Sequence, residues 1–142
     1  MGDPEQAVSE VKMIGAFLRK GREERWEQVF ARPKGRKKFL ERLYHEQDIS
    51  PECMSPIPHL ERFAETVYQK LRSLGASDIC HVFSASSRID GKDLPLFKAL
   101  QEVVDLTPGT IISCVPGKLA YYLSEERNGQ YLLKASNQTP NR

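Results

Sequence analysis

The apolar positions of this chain follow a helical period in its first half and largely a strand period in its second. Val8, Val11, Ile14 and Leu18 recur every three or four residues, which predicts an amphipathic helix. Asp3 stands at its N-cap position with Pro4 next, where no backbone N–H is needed. Gly21 weakens the pattern, and a second helical stretch then holds Trp26, Val29 and Phe30 as far as Pro33. A third places Phe39, Leu40, Leu43 and Tyr44 on one face, with Lys34, Lys38 and Arg42 at i, i+4, i+8 on another. Beyond Pro51, Pro56 and Pro58, helical spacing returns through Leu60, Phe63, Val67, Leu71 and Leu74. Gly75 sits where a left-handed cap needs it.

From Ile79 the pattern changes. Ile79, His81 and Phe83 alternate with Cys80 and Val82, so both faces are apolar, as in a central strand. Asp93 and Pro95 predict a helix start ahead of Leu96, Phe97, Leu100, Val103 and Val104. Pro108-Gly109 leads into a second apolar strand, Thr110 to Val115. Strand, helix, strand in that order implies a parallel pair joined by a right-handed crossover. Pro116-Gly117 predicts a type II turn into Leu119 to Leu123, and Arg127-Asn128-Gly129 a second turn into Tyr131, Leu132 and Leu133.

The expected fold is α/β (or α+β): N-terminal helices, then helix-strand-helix-strand-strand-strand, with a mixed four-stranded sheet of one parallel pair and antiparallel hairpins. Phe63, Val67, Leu71, Val82, Leu100, Ile112 and Tyr121 are expected to fill its core. The expected organisation is a basic helical lobe over 1–50, a proline-containing connector over 51–58, an α/β core over 59–134 and a disordered tail over 135–142. A single domain over 1–134 is the alternative.

Composition changes this picture in one respect. Net charge is only +2 over 142 residues, but it is segregated. Between Arg19 and Arg42 ten Lys and Arg face four Glu, while the rest of the chain carries eleven basic and fifteen acidic residues. Cys53, Cys80 and Cys114 are odd in number and have no metal-ligand spacing; two lie in apolar strand runs, which suits reduced, buried thiols. No secretory pattern opens the chain and no apolar run approaches a membrane span, so a cytoplasmic location is expected.

Candidate chemistry is sparse. No P-loop, dinucleotide fingerprint, paired Cys-x-x-Cys, His-Glu-x-x-His or Gly-x-Ser-x-Gly motif occurs, and neither a metal nor a cofactor is implied. His81 and Cys80 are adjacent in a strand and point to opposite faces, so they form no nucleophile–base pair. The loop from Ser84 to Asp93 is the small-ligand candidate: Ser84, Ser86, Ser87, Arg88 and Lys92 can donate to a phosphate or carboxylate, and Asp90 or Asp93 can act as a base or hold a metal. The plainer reading is a connector, since Asp90-Gly91 is ordinary turn chemistry and Asp93 a helix cap.

The basic stretch is the second candidate. Arg32, Lys34, Lys37, Lys38 and Arg42, with Arg22 and Arg25 nearby, offer a surface to nucleic acid or to an acidic protein. Its plainer reading is a solvated or internally paired face. Trp26, Phe30, Phe39 and Tyr44 interleave with these charges at core spacing, which favours packing over base stacking. The expected function is a non-catalytic cytosolic binding or regulatory module that engages an anionic partner through the basic lobe. The alternative is a small enzyme or an anion- or phosphate-binding domain built on the Ser84–Asp93 loop.

Overall fold

The computed structural model describes residues 4–19, 23–126 and 129–135. The Asp3 cap, the Gly21 break, the Arg127-Asn128 part of the second turn and the tail beyond Ala135 lie outside them. Three helices come first: α1 (Pro4–Ile14), α2 (Glu23–Ala31) and α3 (Pro33–Arg42). Arg32 alone separates α2 from α3; it is extended, as a residue before proline should be, and Pro33 opens α3. Strand β1 (Met54–Pro56) and helix α4 (Ala64–Ser73) follow. The remainder runs β2 (Ile79–Ser84), β3 (Asp93–Pro95), α5 (Leu96–Val103), β4 (Thr110–Val115), β5 (Leu119–Leu123) and β6 (Gln130–Lys134).

The six strands form one sheet in the order β1-β6-β5-β4-β2-β3, and every neighbouring pair is antiparallel. The expected four-stranded sheet with a parallel pair is therefore corrected to six antiparallel strands. The physical reason lies between Ser84 and Leu96. Instead of capping a helix, Asp93 to Pro95 runs back along β2 as a short edge strand, with Ile79 opposite Pro95. That strand makes the return journey that a crossover helix makes in a parallel unit. Helix α5 then starts beside the beginning of β2, where the Leu96 N–H donates to the Asp78 carbonyl at 2.8 Å. It carries the chain up again, and β4 enters antiparallel, Thr110 opposite Ser84.

Strand alternation gives the sheet two dry faces. Val82, Ile112, Tyr121 and Leu132 are register neighbours on one side and pack with Val67, Leu71, Leu96 and Leu100 of α4 and α5. Phe83, Ile111 and Tyr122 are neighbours on the other side and pack with Ile14, Trp26, Phe30, Phe39 and Leu43 of the N-terminal helices and the turn after α3. Helices thus cover both faces. The edge strands β1 and β3 are three residues each and end in Pro56 and Pro95, which denies a further strand its ladder.

Two turns formed as their residues dictate. Ala76 N–H bonds to Leu71 O and Gly75 N–H to Arg72 O, both at 3.0 Å, around a Gly75 with φ +106°, closing α4 in a Schellman arrangement. Gly117 takes φ +71° between β4 and β5, and its N–H docks on Met13 O at the end of α1. Phe63 departs from expectation: extended at the N-cap of α4, it is 62% exposed. The buried stripe of α1 also differs, since Ala7, Glu10 and Ile14 face inward while Val8 is exposed. Among the described residues no helix is long and apolar enough to cross a membrane.

Leu100 is fully buried between α5 and the sheet. Leu100→Ala is expected to cost about 2–5 kcal/mol in urea denaturation. An unchanged midpoint would mean that this layer is not packed as described.

Candidate functional site: the basic helical lobe

The lobe's cations divide into two sets, and Arg36 shows why. It lies three and four residues before the buried Phe39 and Leu40, so its side chain points inward with theirs. Its guanidinium lies over the rings of Phe30 and Phe83, 5.9 and 5.6 Å from their centroids. There it donates to both oxygens of Asp90, at 2.9 Å each, and to both oxygens of Glu10, at 2.5 and 3.0 Å. Glu10 is 1% exposed. Burial alone would raise its pKa, but hydrogen bonds from His81 and Arg36 prevail and hold it below the ordinary 4.5. Arg36 is in turn made a still weaker acid, the bonds to Asp90 and Glu10 outweighing its own desolvation.

His81 extends this network. Its Nε2 meets Glu10 and its Nδ1 meets Asp93, each at 2.7 Å. With both carboxylates ionised, the two contacts favour the imidazolium form, in which both ring nitrogens donate. Burial opposes that charge, yet the bonds to Glu10 and Asp93 raise the His81 pKa above 6.5. Asp90 completes the network by accepting the Ser84 backbone N–H at 2.9 Å. Residues from α1, α3, β2, the following loop and β3 are thereby tied together.

The Ser84–Asp93 loop is largely consumed by these bonds. The Ser84 hydroxyl bonds to that of Thr110 at 2.7 Å and receives the Ser86 N–H at 3.0 Å. Asp90 is committed to Arg36, and Arg88 to Glu102 at 2.8 Å. Ser87 and Lys92 are exposed, and Ser86 is half-buried. Because the sheet is antiparallel and α5 begins at the far end of β2, the N-terminus of α5 does not open onto the loop.

The second set of cations faces outward. Arg42 is withdrawn from it by a two-pronged contact with Asp48, at 2.9 and 3.0 Å. Arg32, Lys34, Lys37 and Lys38 are exposed and form no ion pair among the described residues. Arg22 and the Arg25 side chain lie outside those residues. Three of the four outward cations, Arg32, Lys34 and Lys38, line a groove of about 500 Å³ between α2 and α3, together with Trp26, Val29 and Gly35. Gly35 keeps the two helices close there: a Cβ on it would lie 2.8 Å from Val29 O. Trp26 packs on Phe39 and Phe30, at centroid distances of 5.3 and 6.1 Å, and is only 6% exposed. Its indole N–H is buried without a hydrogen-bond partner among the described residues.

Neither the groove nor the inward network was legible as a unit in the sequence. The groove needs the short Arg32 connection and the Gly35 contact, and the network joins residues up to 71 positions apart. Among the described residues, no group of three His, Cys, Asp or Glu side chains is arranged to hold a metal ion. Comparison with protein-family models, with curated proteins and with solved structures finds no match.

Arg36→Ala strands Glu10 and Asp90 without their counter-charge and is expected to destabilise by about 3–5 kcal/mol. Lys37→Ala, one residue on, should stay within about 0.5 kcal/mol. Equal midpoints for the two variants in chemical denaturation would refute the division of cations. The network also sets a pH dependence. The His81 contribution is complete below its unfolded value of 6.5 and is lost as pH rises through the higher folded value. The Glu10 contribution is complete above 4.5 and is lost as pH falls through its lower folded value. Stability measured from about pH 6 to pH 9 should therefore fall, and His81→Gln should flatten that limb. A wild-type limb no steeper than the variant's would show that His81 is not charged in the fold.

Proposed function

We propose that this chain is a non-catalytic binding module that engages an anionic partner through its basic helical lobe. The observation that carries the reading is the exposed quartet Arg32, Lys34, Lys37 and Lys38, without ion pairs among the described residues while Arg36 and Arg42 are bonded into the fold. Like charges this close on one helix repel by a few tenths of a kcal/mol per pair, a cost that an anionic partner turns into attraction.

The titratable groups support a role other than catalysis. Both nitrogens of His81 are occupied by carboxylates, so it has none to offer a substrate. Burial pushes the Cys80 thiol up to about 12 and also raises that of Cys114, which keeps both as inert thiols at neutral pH. A cytoplasmic setting suits such thiols and belongs to the same proposal.

The test uses the full chain with two polyanions, a polyglutamate and a single-stranded oligonucleotide. Binding to at least one is expected, weakening steeply between about 50 and 200 mM salt. Lys34→Glu, Lys37→Glu and Lys38→Glu combined should weaken it by at least about tenfold. Reversal of Lys98, Lys118 and Lys134, exposed elsewhere, should have much less effect. Equal losses from the two triple variants, or no binding to either polyanion, would overturn the reading.

A further inference from the structure

We propose that the groove between α2 and α3 receives an acidic segment of another protein, which inserts an apolar side chain between the helices and sets carboxylates against Arg32, Lys34 and Lys38. This rests on the anion-binding reading above and specifies the partner.

The lining argues for a peptide over a nucleic acid. At about 500 Å³ the groove is of a size that admits one or two side chains, and among the described residues its walls include Trp26, Val29 and Gly35 and no acidic side chain. A phosphate backbone would leave that apolar interior empty. It would also need a longer track than the described helical cations Lys34 to Lys38, which span about 6 Å of helix axis. Arg36 and Arg42 would have lengthened the track, but Glu10, Asp90 and Asp48 hold them. Nor can a base stack on Trp26, which is 6% exposed and packed against Phe30 and Phe39. An amphipathic segment meets both demands, apolar anchor inside and carboxylates at the rim.

The second observation is the indole N–H. It is the one buried side-chain nitrogen or oxygen without a partner among the described residues, and it belongs to a residue lining this groove. A buried donor without an acceptor is unfavourable, and an inserted segment whose entry turns the indole toward the groove supplies one. The groove is also preformed. Gly35 and Val29 fix the helix contact and Arg36 anchors α3 from behind, so little ordering is needed on binding.

Trp26 is the chain's single tryptophan, so its emission reports on the groove directly. The full chain is titrated with three probes of equal charge: a glutamate-rich helical peptide with two leucines spaced i, i+4, the same peptide with serines for leucines, and oligothymidylate. The leucine peptide is expected to bind at least about tenfold tighter than the serine peptide and to shift Trp26 emission. Val29→Ser should shrink that preference, and Val29→Thr replaces it should the serine variant not fold. If both peptides bind equally, or emission is unmoved at saturation while the lysine-dependent binding persists, this inference falls and the anion-binding reading stands. Oligothymidylate binding tighter than the leucine peptide likewise overturns the inference alone. Binding of none of the three overturns both.

Discussion

The clasp of Glu10 and Asp90 around Arg36 is the interaction on which the rest of the molecule depends. It joins helix α1, helix α3 and the loop after β2 through one planar side chain held over Phe30 and Phe83. Taking three charged groups out of water is costly, and a close-packed apolar substitute could match or exceed its net stability. What an apolar substitute does not impose is register. A guanidinium with two carboxylates in fixed positions is satisfied in one arrangement of helices on sheet, and any slip leaves a buried charge unpaired. His81 tightens the same restriction by placing an imidazolium between Glu10 and Asp93.

That fixed register decides which residues the lobe presents. With Arg36 turned toward the sheet, helical geometry turns Lys34, Lys37 and Lys38 away from it. With Gly35 against Val29, the groove keeps its width. The antiparallel return of β3 has the opposite consequence for the Ser84–Asp93 loop. It closes the end of β2 with Gly91 N–H bonded to Val82 O at 2.8 Å, and the loop's acid serves the clasp. Topology therefore leaves the lobe open and closes the loop.

The helices and the four long strands were legible because each repeats its apolar period over enough residues to be distinguished. The strands β1 and β3 were not. Three residues carry no period, and both contain a proline that reads as a breaker. Missing β3 also reversed the sense of β4, since a parallel pair follows only if the helix makes the return. Phe63 fitted the stripe of α4 by spacing but falls at its first boundary, where the backbone is extended and the side chain leaves the face. The buried charges left a fainter signal. Glu10 stands three after Ala7 and four before Ile14, and Arg36 three before Phe39, so each occupies a core position of its own helix. Their partners could not be read, because His81 and Asp90 meet them only through tertiary packing.

The chemistry of the two cation types accounts for part of the sorting within the lobe, Arg32 being an arginine that stays outside. Arginine offers a planar fork that matches a carboxylate with two parallel bonds, and it is less strongly hydrated than an ammonium. Arg36 and Arg42 each make that two-pronged contact, the first with Asp90 and the second with Asp48. Lysine holds its water more tightly and lacks the fork, so Lys34, Lys37 and Lys38 lose least by staying outside. Part of the acidic remainder of the chain is thus spent inside, on arginines, instead of screening the lobe's surface. The outward face keeps a positive excess in part for that reason: Glu10, Asp90 and Asp48 already have arginine partners.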